Sequence, residues 1–215
     1  MKWLRRLFGR AGFRSSSYWQ ERYALGGNSG AGSYDQLAEY KAVFINERTE
    51  RFNLRSITEL GCGDGNQLGL FTVGKYTGLD VAKAAVERCK ALYRGVQGRR
   101  FAVYRPGKTD PLKFAADAAL SLDVLYHITE DDRFYQHLDD LFAIGKRYVI
   151  IYGWNTDGEG IDLPQHVKPR KFTRVIEERY PEWKLVEHEK NPYPVHTYGQ
   201  EKGSYADFFV YAKDN

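Results

Sequence analysis

The stretch ITELGCGDGNQLGLF, residues 57–71, decides the fold. An apolar lead-in ends in Glu59. Gly61, Gly63 and Gly65 follow at alternate positions, with Asp64 among them, and NQLGLF then reads as the opening of a short helix. A strand running into a glycine turn and a helix is the start of a nucleotide-binding βαβ unit. In the dinucleotide fingerprint GxGxxG the third glycine would come one residue later. Here two acids also stand where a pyrophosphate would sit. At an effective dielectric of about 20, unit charges about 4 Å apart repel by about 4 kcal/mol. The turn therefore disfavours phosphate and favours a ligand with a positive centre.

Outward from this turn the chain alternates strands and helices. KYTGLD reads as a second strand ending at Asp80, and VAKAAVERCKALYR as a helix. RRFAVYR, ADAALSLDVLYHI and RYVIIYGW read as further strands, the second running past its end into Asp123 and His127. EDDRFYQHLDDLFAI and PRKFTRVIEERY have helical periodicity. The pattern predicts a parallel sheet in an α/β protein, with helices on both faces. The last two strands, WKLVEHEK and ADFFVYAK, are joined by a connection without helical period, so the final strand is expected antiparallel. Upstream, YDQLAEYKAVFINERTERF reads as a helix, preceded by SSSYWQERYALGGNSGAGS, which reads as a helix start followed by a glycine-rich loop. We divide the chain into an N-terminal helical cap or lid, 1–50, and a main domain, 51–215.

S-adenosylmethionine satisfies this electrostatic pattern, since its amino and sulfonium groups gain from acids. A carboxylate at Asp80 can accept both ribose hydroxyls. ELGCGDGNQL, YTGLDV and ALSLDVLYHI together resemble the first, second and fourth-strand motifs of class I S-adenosylmethionine-dependent methyltransferases. The resemblance implies a Rossmann-like, three-layer αβα fold with a seven-strand sheet in the order 3-2-1-4-5-7-6. It places Glu59, Gly61, Cys62, Gly63 and Asp64 around the methionine portion and Asn66 and Gln67 at the following helix. Asp80 and Val81 would hold the ribose and one adenine face, and Ser121 and Leu122 would border the sulfonium. Many relatives carry an acid after the third strand; here VYRPGK stands there, leaving Tyr104 or Arg105 against adenine. YWQERYALGGNSGAGSYDQLAEYK, HVKPRKFT, NPYP and GSYADFFVYAK resemble a bacterial subgroup loosely associated with surface-polysaccharide genes, which implies a small-molecule or saccharide acceptor.

Methyl transfer to a hydroxyl calls for a base. His127, just past the fourth strand, is the first candidate, with Asp123 as base or as the group that orients it. His166 follows the fifth strand on the same sheet edge and His196 lies farther along. Lys168, Arg170 and Lys171 offer contacts to an acidic acceptor. In the lid, Trp19, Arg22, Tyr23 and Ser33 are expected over the cofactor, with Arg22 or Lys41 meeting its carboxylate. The five histidines show no metal-ligand spacing, so no metal is expected. Asp139 and Asp140 read as a solvated helix face.

Composition narrows the alternatives. The 215 residues include 42% hydrophobic and 28% charged, enough for one globular core. Two cysteines without a CxxC pair point to a reducing, cytoplasmic setting. Lys2, Arg5, Arg6, Arg10 and Arg14 precede the first acid, Glu21; without these five the chain has 27 basic against 28 acidic residues. That near-neutral body argues against a nucleic-acid partner. Trp3, Leu4, Leu7, Phe8 and Ala11 share a helical face opposite those arginines, a pattern suited to weak contact with an anionic membrane surface through residues 1–14. The competing readings are a nucleic-acid methyltransferase and a non-catalytic cofactor-binding assembly subunit, with a nicotinamide dehydrogenase least favoured.

Overall fold

The computed structural model describes residues 12–158 and 162–214. The amphipathic pattern of residues 1–11 lies outside them. Helix α1 spans Ser15–Ala24 and α2 Asp35–Arg51. The sheet strands are β1 (Ser56–Leu60), β2 (Lys75–Asp80), β3 (Arg99–Val103), β4 (Ala116–Leu122), β5 (Gly145–Gly153), β6 (Trp183–Glu189) and β7 (Asp207–Lys213). Between them run α3 (Lys83–Leu92), α4 (Asp131–Ile144), α5 (Phe172–Arg179) and α6 (Val195–Lys202).

Among the described residues these seven strands form one sheet in the order β3-β2-β1-β4-β5-β7-β6. The pairs from β3 across to β5 are parallel, and β7 runs antiparallel to both β5 and β6. The strand pattern had placed each of these elements. Ile57, Leu60, Ala118, Leu120, Val149 and Ile151 are buried because a parallel sheet is covered on both faces. On one face α2 and α3 pack against it, with Phe44 stacked on Phe208 at 3.7 Å between ring centroids. On the other, Phe134, Leu138 and Leu141 of α4 and Phe172 and Ile176 of α5 form the second core.

Two local readings differ. NQLGLF forms a 3-10 turn, Gln67–Leu70, instead of an α-helix, since Gly69 interrupts it. The β6–β7 connection, read as irregular, contains α6, broken at Gly199 with φ of 73°. Its apolar period is too short to register as a helix.

Chain order reverses on either side of β1 and β4, which opens a crevice at their carboxyl ends. Leu60, Asp80 and Leu122 end their strands there.

Candidate active site

The turn after β1 is closed by its own acids. Gly61 has φ of 101°, and a Cβ on it would lie 2.4 Å from Val124 Cγ2, so the turn passes tightly under the β4 end. Asp80 accepts hydrogen bonds from the Gly63 N–H at 3.0 Å and the Ala82 N–H at 2.8 Å, which ties β2 to the turn. Burial raises its carboxyl to about 6 against those two bonds. Glu59 is buried and accepts the Tyr76 hydroxyl proton; burial raises it to about 7, partly offset by Tyr76 and Lys41. Asp64 behaves differently. Burial pushes it up, but bonds from the Ser29 N–H, the Tyr34 hydroxyl and the Asn66 N–H outweigh that and hold it below the usual carboxylate value.

Those contacts bring the N-terminal segment over the turn. Ser29 donates its N–H to Asp64 at 2.9 Å and accepts the Asp64 N–H on its hydroxyl at 3.0 Å. Tyr23 shares a 2.9 Å bond with the Ser29 hydroxyl. A Cβ on Gly63 would come within 2.3 Å of that hydroxyl oxygen and 2.9 Å of the Tyr23 oxygen, so only glycine admits this closure.

Beneath α1 lies a cavity of about 400 Å³. Glu59, Asp64, Asp80 and Asp123 line it, as do Gly61, Cys62, Gly63, Gln67, Val81 and Leu122 from the expected cofactor set and Trp19, Tyr23 and Ser33 from the segment above. Gln67 donates its amide to the Ala38 carbonyl, and its buried Oε1 has no partner within the protein. Three expected contacts stand elsewhere. Ser121 is fully buried and shares its hydroxyl with His137 Nε2 at 2.9 Å. Asn66 turns outward and donates to the Ser33 carbonyl. Arg22 curls onto Asn28, at 2.7 Å to its carbonyl, and lies over Trp19. Each is diverted by a partner distant in sequence or by its own loop.

Lys41, 1% exposed, donates to Asp123 Oδ2 at 2.6 Å. The Tyr126 hydroxyl occupies Oδ1 at 2.6 Å. With both oxygens engaged, Asp123 is a half-buried ion-pair partner, and Lys41, one of the two cations expected for the cofactor carboxylate, lines the cavity paired with it. His127 also lines the cavity, in a 3-10 turn at Leu125–His127. Its Nδ1 lies 3.1 Å from the His166 carbonyl oxygen. Because a carbonyl only accepts, Nδ1 carries the proton and Nε2 keeps its lone pair. Burial lowers His127 to about 4, against that bond and the Asp123 charge. Trp19 meets its ring edge-on at 5.0 Å, and His166 stacks on it at 5.6 Å beneath Tyr18. His166 thus supports His127 from outside the cavity lining.

Other expectations shift. Lys168 and Arg170 both pair with Asp131 Oδ1 at 2.7 Å, which takes them from an acceptor-greeting role. Asp140 is buried and accepts the Tyr104 hydroxyl, so it is not on a solvated face, while Asp139 stays partly exposed and takes the Tyr180 hydroxyl and Arg179. Tyr104 does line the cavity. Sequence reasoning gave no role to His137, which also lines it and which burial lowers to about 3. Nor did it single out Ser29 and Tyr34, whose contacts join segments more than twenty residues apart. Among the described residues no group of His, Cys, Asp and Glu could hold a metal ion.

Strand order, the glycine turn and a crevice ringed by carboxylates define a class I methyltransferase fold. Residues 58–150 match the family model described as a methyltransferase domain. No curated protein sequence matches the chain. Among solved structures it is similar to the methyltransferase domain of bacterial CtHen1-C, at 18% identity over 82% of this chain and 98% of that one, TM-score 0.64. It is similar to the N-methyltransferase NodS of Bradyrhizobium japonicum, solved with S-adenosyl-L-homocysteine, at 14% identity over 94% and 100%, TM-score 0.63. A third is magnesium protoporphyrin IX methyltransferase of Synechocystis PCC 6803 with bound SAM, at 10% over 95% and 100%, TM-score 0.65. At these identities the likeness is one of fold.

Proposed function

We propose that the chain transfers a methyl group from S-adenosylmethionine to an oxygen of a small molecule or saccharide. The observation that carries this reading is the set of four carboxylates, Glu59, Asp64, Asp80 and Asp123, lining one cavity around a glycine turn, with Lys41 as their buried cation. Such a set suits a sulfonium and an amino group and opposes a diphosphate. The residues present fit the cofactor: Gln67 Oε1 is a buried acceptor in need of a donor, and Glu59 and Asp80 are raised carboxyls that a cation would ionise.

When bound, S-adenosylmethionine supplies a methyl on positive sulfur, whose C–S bond breaks as the new C–O bond forms. Glu59 and Asp64 would hold its amino end, Asp80 and Val81 its ribose and adenine, and Leu122 its sulfur side. His127 Nε2 would receive the acceptor's hydroxyl proton, kept available by the His166 carbonyl on Nδ1. Alignment and exclusion of water fall to α1 and the loop behind it. We assign residues 1–50 to this cap, with its moving part in α1 and the loop to Ser33, since α2 belongs to the core. The chain is assigned to the cytoplasm, with residues 1–14 available for an anionic membrane surface. No described helix is long and apolar enough to cross a membrane.

The test is to incubate the protein with methyl-labelled S-adenosylmethionine and fractionated extract of its source cells, then identify the labelled product by mass spectrometry. A methylated hydroxyl compound supports the proposal. Label only in nucleic acid would replace it with the nucleic-acid reading, and cofactor binding without any labelled product would favour the assembly subunit.

A further inference from the structure

Four cations line the same cavity at its other end: Arg14, Arg105, Lys108 and Arg133. Three hydrogen-bonded steps gather them. Arg14 precedes Ser15, whose N–H and hydroxyl donate to the Glu130 carboxylate at 3.0 and 2.7 Å. One turn on, Arg133 Nη1 donates to the Pro106 carbonyl at 3.2 Å. Pro106 stands between Arg105 and Lys108, and the Lys108 N–H closes a turn onto the Arg105 carbonyl at 2.9 Å. The acids around the glycine turn meet the opposite end of α1, at Tyr23. From Arg14 to Tyr23 the helix separates the two ends by about 13 Å, at about 1.5 Å per residue.

These cations are poorly neutralised. Among the described residues no carboxylate lies within ion-pairing distance of Arg14, Arg105 or Lys108, and Arg133 reaches only its neighbour Asp132, at 3.7 Å. Glu130 is the one acid lining that end, and Ser15 already holds both its oxygens. All four are exposed residues at the cavity rim, where the protein walls of the mouth focus their combined field on an entering ligand.

Resting on the methyltransferase reading, we propose that this mouth binds the phosphate or pyrophosphate group of the methyl acceptor. A carboxylate needs one cation, whereas a phosphate ester carries about −1.5 to −2 charge and three acceptor oxygens, which suits several arginines and a lysine. The cofactor has no phosphate, so the anion belongs to the other substrate. The geometry allows one molecule to span both places, because His127, Glu130 and Arg133 lie along one short segment from the proposed base to the rim.

The test uses the full chain saturated with S-adenosylhomocysteine, titrated calorimetrically with inorganic pyrophosphate at about 0.15 M salt, where exposed charges are screened beyond about 8 Å. The double variant Lys108→Gln/Arg133→Gln should bind pyrophosphate at least tenfold more weakly, while Lys90→Gln on α3, away from the cavity, leaves it unchanged. A parallel arm measures co-sedimentation with phosphatidylglycerol vesicles. Loss of vesicle binding in the same double variant assigns the phosphate to a lipid headgroup, and loss of pyrophosphate binding alone to a soluble ester. Binding of neither probe, or binding of both unchanged in the double variant, overturns the proposal. So does a single-stranded oligoribonucleotide that outcompetes pyrophosphate with a salt slope far beyond four charges. Failure of S-adenosylhomocysteine itself to bind would instead overturn the methyltransferase reading, so the two failures are separable.

Discussion

His127 owes its proposed role to two atoms of its surroundings, the His166 carbonyl that holds Nδ1–H and the protein wall that resists imidazolium. Replacing it by glutamine should lower kcat for a hydroxyl acceptor by about 10²–10⁴, the usual range for a general base, with KM for the cofactor little changed. With its pKa near 4, His127 is neutral across the physiological range, so kcat/KM should show no histidine limb between about pH 6 and 8. A pH–rate profile that falls with an apparent pKa near 6.5 would contradict this. Glu59 gives a stability counterpart. Its folded value of about 7 lies above the ordinary 4.5, so its contribution is fully present below pH 4.5 and is lost as pH rises through 7. A displacement of that size is worth on the order of 3 kcal/mol. In urea denaturation of the ligand-free protein, Glu59→Gln should therefore gain on the parent chain between those two pH values. Lys41→Ala leaves Asp123, whose side chain is 13% exposed, without its cation and should cost up to about 3 kcal/mol. Of these residues, Glu59, Asp80 and Asp123 could be placed at the cavity because they sit at strand ends, and His127 because it lies in the turn just past β4. The Lys41–Asp123 pair, 82 residues apart, was not legible in the sequence, because nothing local marks it.

At the scale of elements, α1 and the following loop are held by few anchors. Gln20 accepts the Lys83 N–H, Ser15 bonds Glu130, and Ser29 and Tyr34 converge on Asp64. Gly63→Ala would force a Cβ into the Ser29 hydroxyl at a residue whose φ is 56°. We expect it to weaken cofactor binding at least tenfold and to increase proteolytic cleavage within residues 25–34. Bound S-adenosylhomocysteine should protect that loop in the parent chain; equal cleavage with and without it would count against a moving cap. The pattern of the sequence predicted this segment as helix then glycine-rich loop, and that is its form. Its attachment was hidden, because Ser29 and Tyr34 are ordinary loop residues until the fold carries Asp64 to them. The same applies to α6, whose break at Gly199 erased its period.

For the molecule as a whole, the α/β alternation and the antiparallel final strand were the most legible features, while the strand order came from the resemblance to class I methyltransferases. Continuous apolar strands alternating with amphipathic helices leave few sheets to choose from, and the terminal strand pair sets the antiparallel edge. Less legible was the distribution of charge. Net charge and the basic amino terminus are visible in one dimension, yet the cavity's polarity, with carboxylates at one end and arginines at the other, exists only after folding brings residues 14, 105, 108 and 133 to one mouth. The carboxylate end remains the central claim, and isothermal titration calorimetry of the purified chain tests it most directly. The account predicts saturable one-to-one heat with S-adenosylhomocysteine and none with an oxidised nicotinamide dinucleotide. Heat with the dinucleotide and none with S-adenosylhomocysteine would contradict it.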